Sequence, residues 1–120
     1  MFPELTERLS KLFRPGHAVK AASTIELDRG LTSEELDLTR WLLLHGDQNS
    51  VAFVSQLNGL RIHGKCSCGC PTVDFKVADG IEPVHSERRI LADLLGTVDG
   101  HLVGILLHQT SGYLSCLGTC

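Results

Sequence analysis

The chain has 120 residues, of which 42% are hydrophobic and 21% are charged, and its formal net charge is −3. This length suits one domain with its own core, and the composition is that of an ordinary globular protein. The negative charge argues against a nucleic-acid binder, because the longest basic run is the pair Arg88-Arg89. We therefore expect a single domain, 1–120, in which 1–30 can form a separate N-terminal helix and arm.

The N-terminal residues predict a cytosolic protein. Met1-Phe2-Pro3-Glu4 has neither the positive start nor the apolar segment of a secretion signal. The apolar run from Leu102 to Leu107 is far shorter than the ~20 residues of a membrane helix, so we expect no membrane association. In a reducing compartment the five cysteines are expected as thiols, metal ligands or redox groups.

The first thirty residues show one clear pattern and one weak pattern. Leucines at helical spacing predict an amphipathic helix over 3–13, which either packs at the edge of the domain or docks a partner. Pro15-Gly16 ends it. Near Ile25 apolar and acidic residues alternate, which permits a short strand.

Two further helices are predicted before residue 60. Thr32 and Glu35 match a capping box, so a helix is expected over 32–45, with Gly46 as its stop. A second helix is expected at about 50–58. The apolar residues expected to face the core from these two helices are Leu36, Trp41, Leu42, Leu43, Leu44, Val51, Phe53, Val54 and Leu57.

After residue 59 the hydrophobic period becomes alternating, which predicts antiparallel strands. Residues 60–77 are expected to form two adjacent strands around a bend, and three more strands are expected at 90–97, 101–109 and 113–117. Residues 90–97 can also form a short helix, but we favour a strand. The last three are joined by tight turns at Asp99-Gly100 and Ser111-Gly112. His101 to Gln109 is apolar on both faces, as a central strand is. The predicted fold class is α+β, with N-terminal helices packed on one antiparallel meander sheet of four to five strands.

The bend between the first two of these strands carries Cys66, Cys68 and Cys70 at spacing two. Together with Cys116 they predict a zinc site, because zinc takes four nitrogen or sulfur ligands in a tetrahedron. Cys120, His63 and His85 are alternative fourth ligands. Residues two apart in a straight strand rise ~6.6 Å, so one ion can bridge them only if the chain bends at Gly69 and Pro71.

Two other interpretations of the bend compete with the zinc site. In the first, which we favour, the cysteines are buried structural residues, no cofactor is bound and no catalysis occurs. In the second, Cys68 or Cys70 is the nucleophile of a thiol-dependent enzyme, activated by a neighbouring cation such as Lys65 or His63. The histidines form no metal-binding spacing, and His108, within an apolar strand, is expected to be a core residue.

The block from Gly64 to Phe75, with its Cys-Gly-Cys-Pro-Thr core, resembles a family of small uncharacterised bacterial proteins. The resemblance extends over about 31–118 and includes the Leu-Thr-x-Glu-Glu segment that begins at Leu31 and the Gly-x-Leu segment at Gly100. It implies a bacterial source but supplies no site residues.

These observations favour a small cytosolic protein-binding module over an enzyme. The chain is small and mildly acidic, lacks a catalytic constellation, and is expected to contain an apolar sheet whose edges can accept a partner. The predicted partner is another protein, and an immunity or accessory protein that covers a toxin or enzyme is the concrete form of this prediction.

Overall fold

The computed structural model describes residues 5–8, 24–46, 50–66 and 72–118. These ranges contain a helical turn at 5–8, the α-helix α1 (Ser33–His45) and a 3₁₀ helix (Ser50–Gly59). The strands are β1 (Thr24–Gly30), β2 (Leu60–Cys66), β3 (Val73–Val77), β4 (Ile90–Val98), β5 (His101–Thr110) and β6 (Tyr113–Gly118).

All six strands form one antiparallel sheet in the order β1-β2-β3-β6-β5-β4. The α+β class is therefore confirmed, but the prediction of four to five strands in a meander is wrong. The weakly patterned segment near Ile25 forms an edge strand, β1, which brings the number to six. The meander is also interrupted, because β3 pairs with β6 rather than with β4.

The start of α1 is fixed by the predicted capping box. The Thr32 hydroxyl accepts from the Glu35 N–H at 3.1 Å, and the Glu35 carboxylate accepts from the Thr32 N–H at 2.9 Å. Arg29, in β1, donates to both Glu35 carboxylate oxygens at 2.7 and 3.0 Å. One buried carboxylate thus caps the helix and joins it to the strand before it.

Not all of the apolar residues predicted to face the core from α1 are buried there. Trp41, Leu42 and Leu43 lie in the core, whereas Leu44 is 56% exposed, because four consecutive helical residues cannot share one face. Gly46 ends the helix as predicted, but with a φ of −89° rather than a left-handed conformation. Glycine is required there because a Cβ would collide with backbone carbonyl oxygens, one of them Leu42 O at 2.8 Å.

The predicted helix at 50–58 is present as the 3₁₀ helix. Phe53 and Leu57 lie in the core, but Val51 is 53% exposed, contrary to the prediction. The 3₁₀ period of three residues differs from the α-helical period on which that prediction depended, so the buried face is different. This face also buries the polar side chain of Gln56 completely.

The described turn at 5–8 belongs to the helix predicted over 3–13, whose other residues lie outside the described residues. Leu5 is fully buried, and the Thr6 hydroxyl accepts from the Thr97 N–H of β4 at 3.0 Å. Arg8 forms an ion pair with Asp37 of α1 at 2.8 Å. This turn therefore packs against α1 and the edge of β4, as in the first of the two predicted alternatives.

Two buried amides hold β6 and the loop that precedes β4. Gln56 donates to Gly112 O at 2.8 Å and accepts from the Leu114 N–H at 2.9 Å, on the side of β6 that faces away from β5. Gln109 donates to Arg88 O at 2.6 Å and accepts from the Gly112 N–H at 2.9 Å. Each amide thus accepts from a backbone N–H in a buried hydrogen bond, that of Leu114 for Gln56 and that of Gly112 for Gln109.

The tight turns between the last three strands are confirmed. Asp99 and Gly100 have φ values of 50° and 80°, and Ser111 and Gly112 have 54° and 88°. Positive φ at both central residues is the requirement of a type I′ hairpin turn. The hairpins β4–β5 and β5–β6 follow directly from these two dipeptides.

We expect Gln56→Leu to lower the free energy of unfolding by about 2–4 kcal/mol, because it leaves the Leu114 N–H without a partner and removes one donor to Gly112 O. Urea unfolding measures the loss. Asn58→Leu, an exposed change on the same 3₁₀ helix, is the control and is expected to stay within about 0.5 kcal/mol of the wild type. A Gln56→Leu variant as stable as this control would contradict the role assigned to the amide.

We expect the contribution of Glu35 to stability to disappear in acid. Burial is the largest influence on the pKa of Glu35 and raises it, but the hydrogen bonds from Arg29 and Thr32 and the charge of Arg29 together bring it below the usual 4.5. A carboxyl whose pKa is lower in the folded state stabilises the fold above its unfolded pKa and ceases to do so as the pH falls through the folded value.

The measurement is urea unfolding of the wild type and of Glu35→Gln between pH 7 and pH 3. The variant is expected to be about 1–2 kcal/mol less stable at pH 7, with the difference shrinking below about pH 4.5. Glu34→Gln, an exposed change one residue earlier, should retain the pH dependence of the wild type. A difference between wild type and Glu35→Gln that is constant with pH would contradict the assignment.

Candidate functional site

The structure describes only part of the cysteine set predicted to bind zinc. Cys66 ends β2, and Cys116 lies in β6; Cys68, Cys70 and Cys120 lie outside the described residues. Among the side chains that the structure describes, no three His, Cys, Asp or Glu residues lie close enough together to hold a metal ion. The zinc site therefore stays a prediction, as do the alternative ligands His63 and His85.

Cys116 is a half-buried free thiol on the face of the sheet opposite α1. It lies in register with Asp74 of β3 on one side and with His108 of β5 on the other. Burial, the negative charge of Asp74 and a hydrogen bond to that carboxylate raise the pKa of Cys116 to about 11. The free thiol is therefore neutral near pH 7, which does not suit a nucleophile.

The expectation that His108 is a core residue is wrong. It alternates along β5 with Leu107 and Gln109, both of which face the core, so His108 lies on the opposite face and is only half-buried. A carboxylate, a thiol and an imidazole thus occupy three adjacent strands, but the carboxylate acts on the thiol and opposes its ionisation.

We expect Asp74→Asn to lower the pKa of Cys116, because it removes the charge that opposes ionisation. Iodoacetamide should then alkylate Cys116 roughly three- to tenfold faster at pH 8, since only the thiolate reacts. Fragment-ion mass spectrometry must locate the label, because no basic residue separates Cys116 from Cys120.

Asp93→Asn is the control for this experiment, since it removes a carboxylate elsewhere on the sheet. It should leave the alkylation rate of Cys116 unchanged. A wild-type Cys116 that reacts as fast as the cysteines of the urea-unfolded protein would contradict the raised pKa.

The outer face of β4 and β5, which points away from α1, exposes large apolar side chains. Ile90 is 42% exposed, Leu95 is 54% exposed and Leu102 is 65% exposed. Leu95 lies opposite Gly104, and Leu102 lies opposite Thr97 two residues further along β4, so the two leucines are diagonal neighbours. We call Ile90, Leu95 and Leu102 the outer apolar strip.

The sequence did not reveal this strip, because it predicted that β5 is buried on both faces. Only Ile105, Leu107 and Gln109 are buried in β5, and they face the core. The described pairing of β5 with β6 reaches Leu106–Gly118, so the part of the β4–β5 hairpin near its turn extends beyond β6. Because the described helices cover only one face of this hairpin, its other face is exposed to solvent.

A groove of about 420 Å³ runs beside the edge of β4. The end of α1, at His45 and Gly46, forms one wall, and residues Ile90 to Leu94 form the other, with Arg88 at one end. The His45 ring stacks on Trp41 and donates to Trp41 O at 2.8 Å, so this wall is fixed by its own contacts.

A second groove, of about 440 Å³, is polar and lies across β2 and β3. Arg61 and Lys76, which are register partners, line it together with Asp28 and His63. Arg61 donates to Asp28 at 2.8 Å, and that bond and the charge of Arg61 hold the pKa of Asp28 below its usual range. The carboxylates of Asp28 and Asp79, which also line this groove, thus largely offset the charges of its basic groups.

No protein-family model, curated protein or solved structure matches the chain. None of the helices in the described ranges is both long enough and apolar enough to cross a membrane.

Proposed function

We propose that the chain is a small cytosolic protein-binding module without catalytic activity. The outer apolar strip is the observation that supports this function. Three large aliphatic side chains on one face, each more than 40% exposed, are of the kind that an interface covers. An immunity or accessory protein, which covers a toxin or an enzyme, is the class that fits a small acidic chain with such a surface.

The alternative functions have less support from the described residues. The nucleophiles predicted for a thiol-dependent enzyme, Cys68 and Cys70, lie outside the described residues. Burial and the neighbouring Asp74 raise the pKa of Cys116, which is the reverse of what such an enzyme needs. No three His, Cys, Asp or Glu side chains among the described residues lie close enough together to hold zinc. The polar groove has both signs of charge close together and suits a solvated surface.

Capture from a native lysate of the source cells tests the proposed function. The wild type should retain a partner protein in about equimolar amount at near-native concentration. Leu95→Asp with Leu102→Asp should lower the captured amount at least about tenfold, because a charge buried in an apolar interface is strongly destabilising. The melting temperature should change by no more than about 3 °C, since both side chains are exposed.

The matched control is Leu44→Asp with Val51→Asp, which changes two aliphatic residues of similar exposure that belong to α1 and the 3₁₀ helix. This variant should retain the partner. The absence of any stoichiometric partner would contradict the proposed function, and equal capture by all three proteins would show that the outer apolar strip is not the interface.

A further inference from the structure

Strand β4 is paired with β5 on one side and is open over a short stretch on the other. The Thr97 N–H points away from β5, where it donates to Thr6. Because backbone direction alternates along a strand, the N–H and C=O groups of Leu95 and Asp93 point the same way. No residue in the described part of the chain bonds to them there, so they are available to another strand.

The chain itself limits this open stretch at both ends. The turn at 5–8 covers the Thr97 end. At the other end Gly46 packs so closely on β4 that a Cβ there would lie 3.2 Å from the Ala92 Cβ. Between these limits only about four residues of β4 are accessible, next to the groove described above. A single extended chain fits such a stretch.

The side chains beside this edge define what such a chain must carry. Asp93 is an exposed carboxylate on the outer face of β4, between the exposed side chains of Ile90 and Leu95. A strand added at the edge places one residue opposite Asp93 and another, two positions away, opposite Leu95. Cross-strand neighbours of opposite charge stabilise a sheet, as do apolar pairs.

We propose that β4 accepts an extended segment of the bound protein as a seventh strand, and that this segment carries a basic residue flanked at spacing two by apolar residues. This mode of recognition rests on the proposed function of the chain as a protein-binding module. The backbone of Asp93 and Leu95 supplies the hydrogen bonds, and their side chains select the sequence.

A second copy of the chain fits this edge less well. Antiparallel pairing of two β4 strands about Asp93 opposes two carboxylates, which is unfavourable. Pairing about Leu94 avoids that contact, but it brings the turn at 5–8 of each copy into collision with Gly46 of the other. The negative net charge of −3 further favours a basic segment over a second acidic chain.

Two synthetic peptides of seven residues test the inference. Both are acetylated and amidated, with valine at the second and sixth positions and threonine elsewhere, and they differ only in lysine or glutamate at the fourth. Titration into the full-length ¹⁵N-labelled protein should shift the amide resonances of Asp93 and Leu95, with the lysine peptide binding about two- to fivefold more tightly.

Asp93→Lys should reverse the preference between the two peptides, and Asp79→Lys, with the same change in net charge away from β4, should not. Both positions are exposed, so both variants are expected to fold. Shifts elsewhere but not at Asp93 and Leu95, or a preference unchanged by Asp93→Lys, would overturn the inference.

Concentration-dependent shifts of these amides without peptide would overturn the inference in favour of a second copy. The inference and the proposed function can also fail separately. If Leu95→Asp with Leu102→Asp abolishes capture of the partner while neither peptide shifts Asp93 or Leu95, strand addition is wrong and binding through the outer apolar strip stands.

Discussion

The two halves of the sheet meet between β3 and β6, and the described pairing there consists of Val73–Leu117 and Asp74–Cys116. Beyond these pairs the buried amide of Gln56 bonds to the backbone at the start of β6. It accepts from the Leu114 N–H and donates to Gly112 O. An amide can do this because it donates and accepts as a peptide group does. A polar side chain of the 3₁₀ helix thus adds hydrogen bonds to β6 next to a short strand pairing.

This arrangement exposes the outer face of β4 and β5, the surface on which the proposed function depends. The described helices and the buried amides lie on one face of the sheet. The turn at 5–8 covers the Thr97 end of the β4 edge. Within the described residues, the outer apolar strip is exposed and the backbone of Asp93 and Leu95 has no strand beside it on the side away from β5. The outer apolar strip and the edge of β4 are adjacent, so one bound segment can contact both.

Much of the fold could be predicted from local signals. The capping box at Thr32 and the glycine turns at Asp99-Gly100 and Ser111-Gly112 depend on neighbouring residues alone, and all three are present. The sheet order could not be predicted, because it is set by pairs of residues that are distant in sequence, such as Val73 with Leu117. Contacts such as that of Gln56 with Leu114 are equally distant. A buried glutamine carries no local pattern that distinguishes it from an exposed one.

The candidate site was harder to predict than the fold. The cysteine bend drew attention because its composition is unusual, but Cys68 and Cys70 lie outside the described residues, and Cys116 is held as a neutral thiol. The exposed apolar residues of β4 and β5 were not recognised, since leucines such as Leu95 and Leu102 usually lie in a core. Only the position of the helices on a single face shows that these two side chains are exposed.

Amide hydrogen exchange in the isolated protein tests the open edge of β4 most directly. The account predicts rapid exchange at Asp93 and Leu95, although both lie within a strand, and slow exchange at Leu94, which bonds to β5, and at Thr97, which bonds to Thr6. Exchange at Asp93 and Leu95 as slow as at Leu94 would show that the edge is already covered, and would contradict the account.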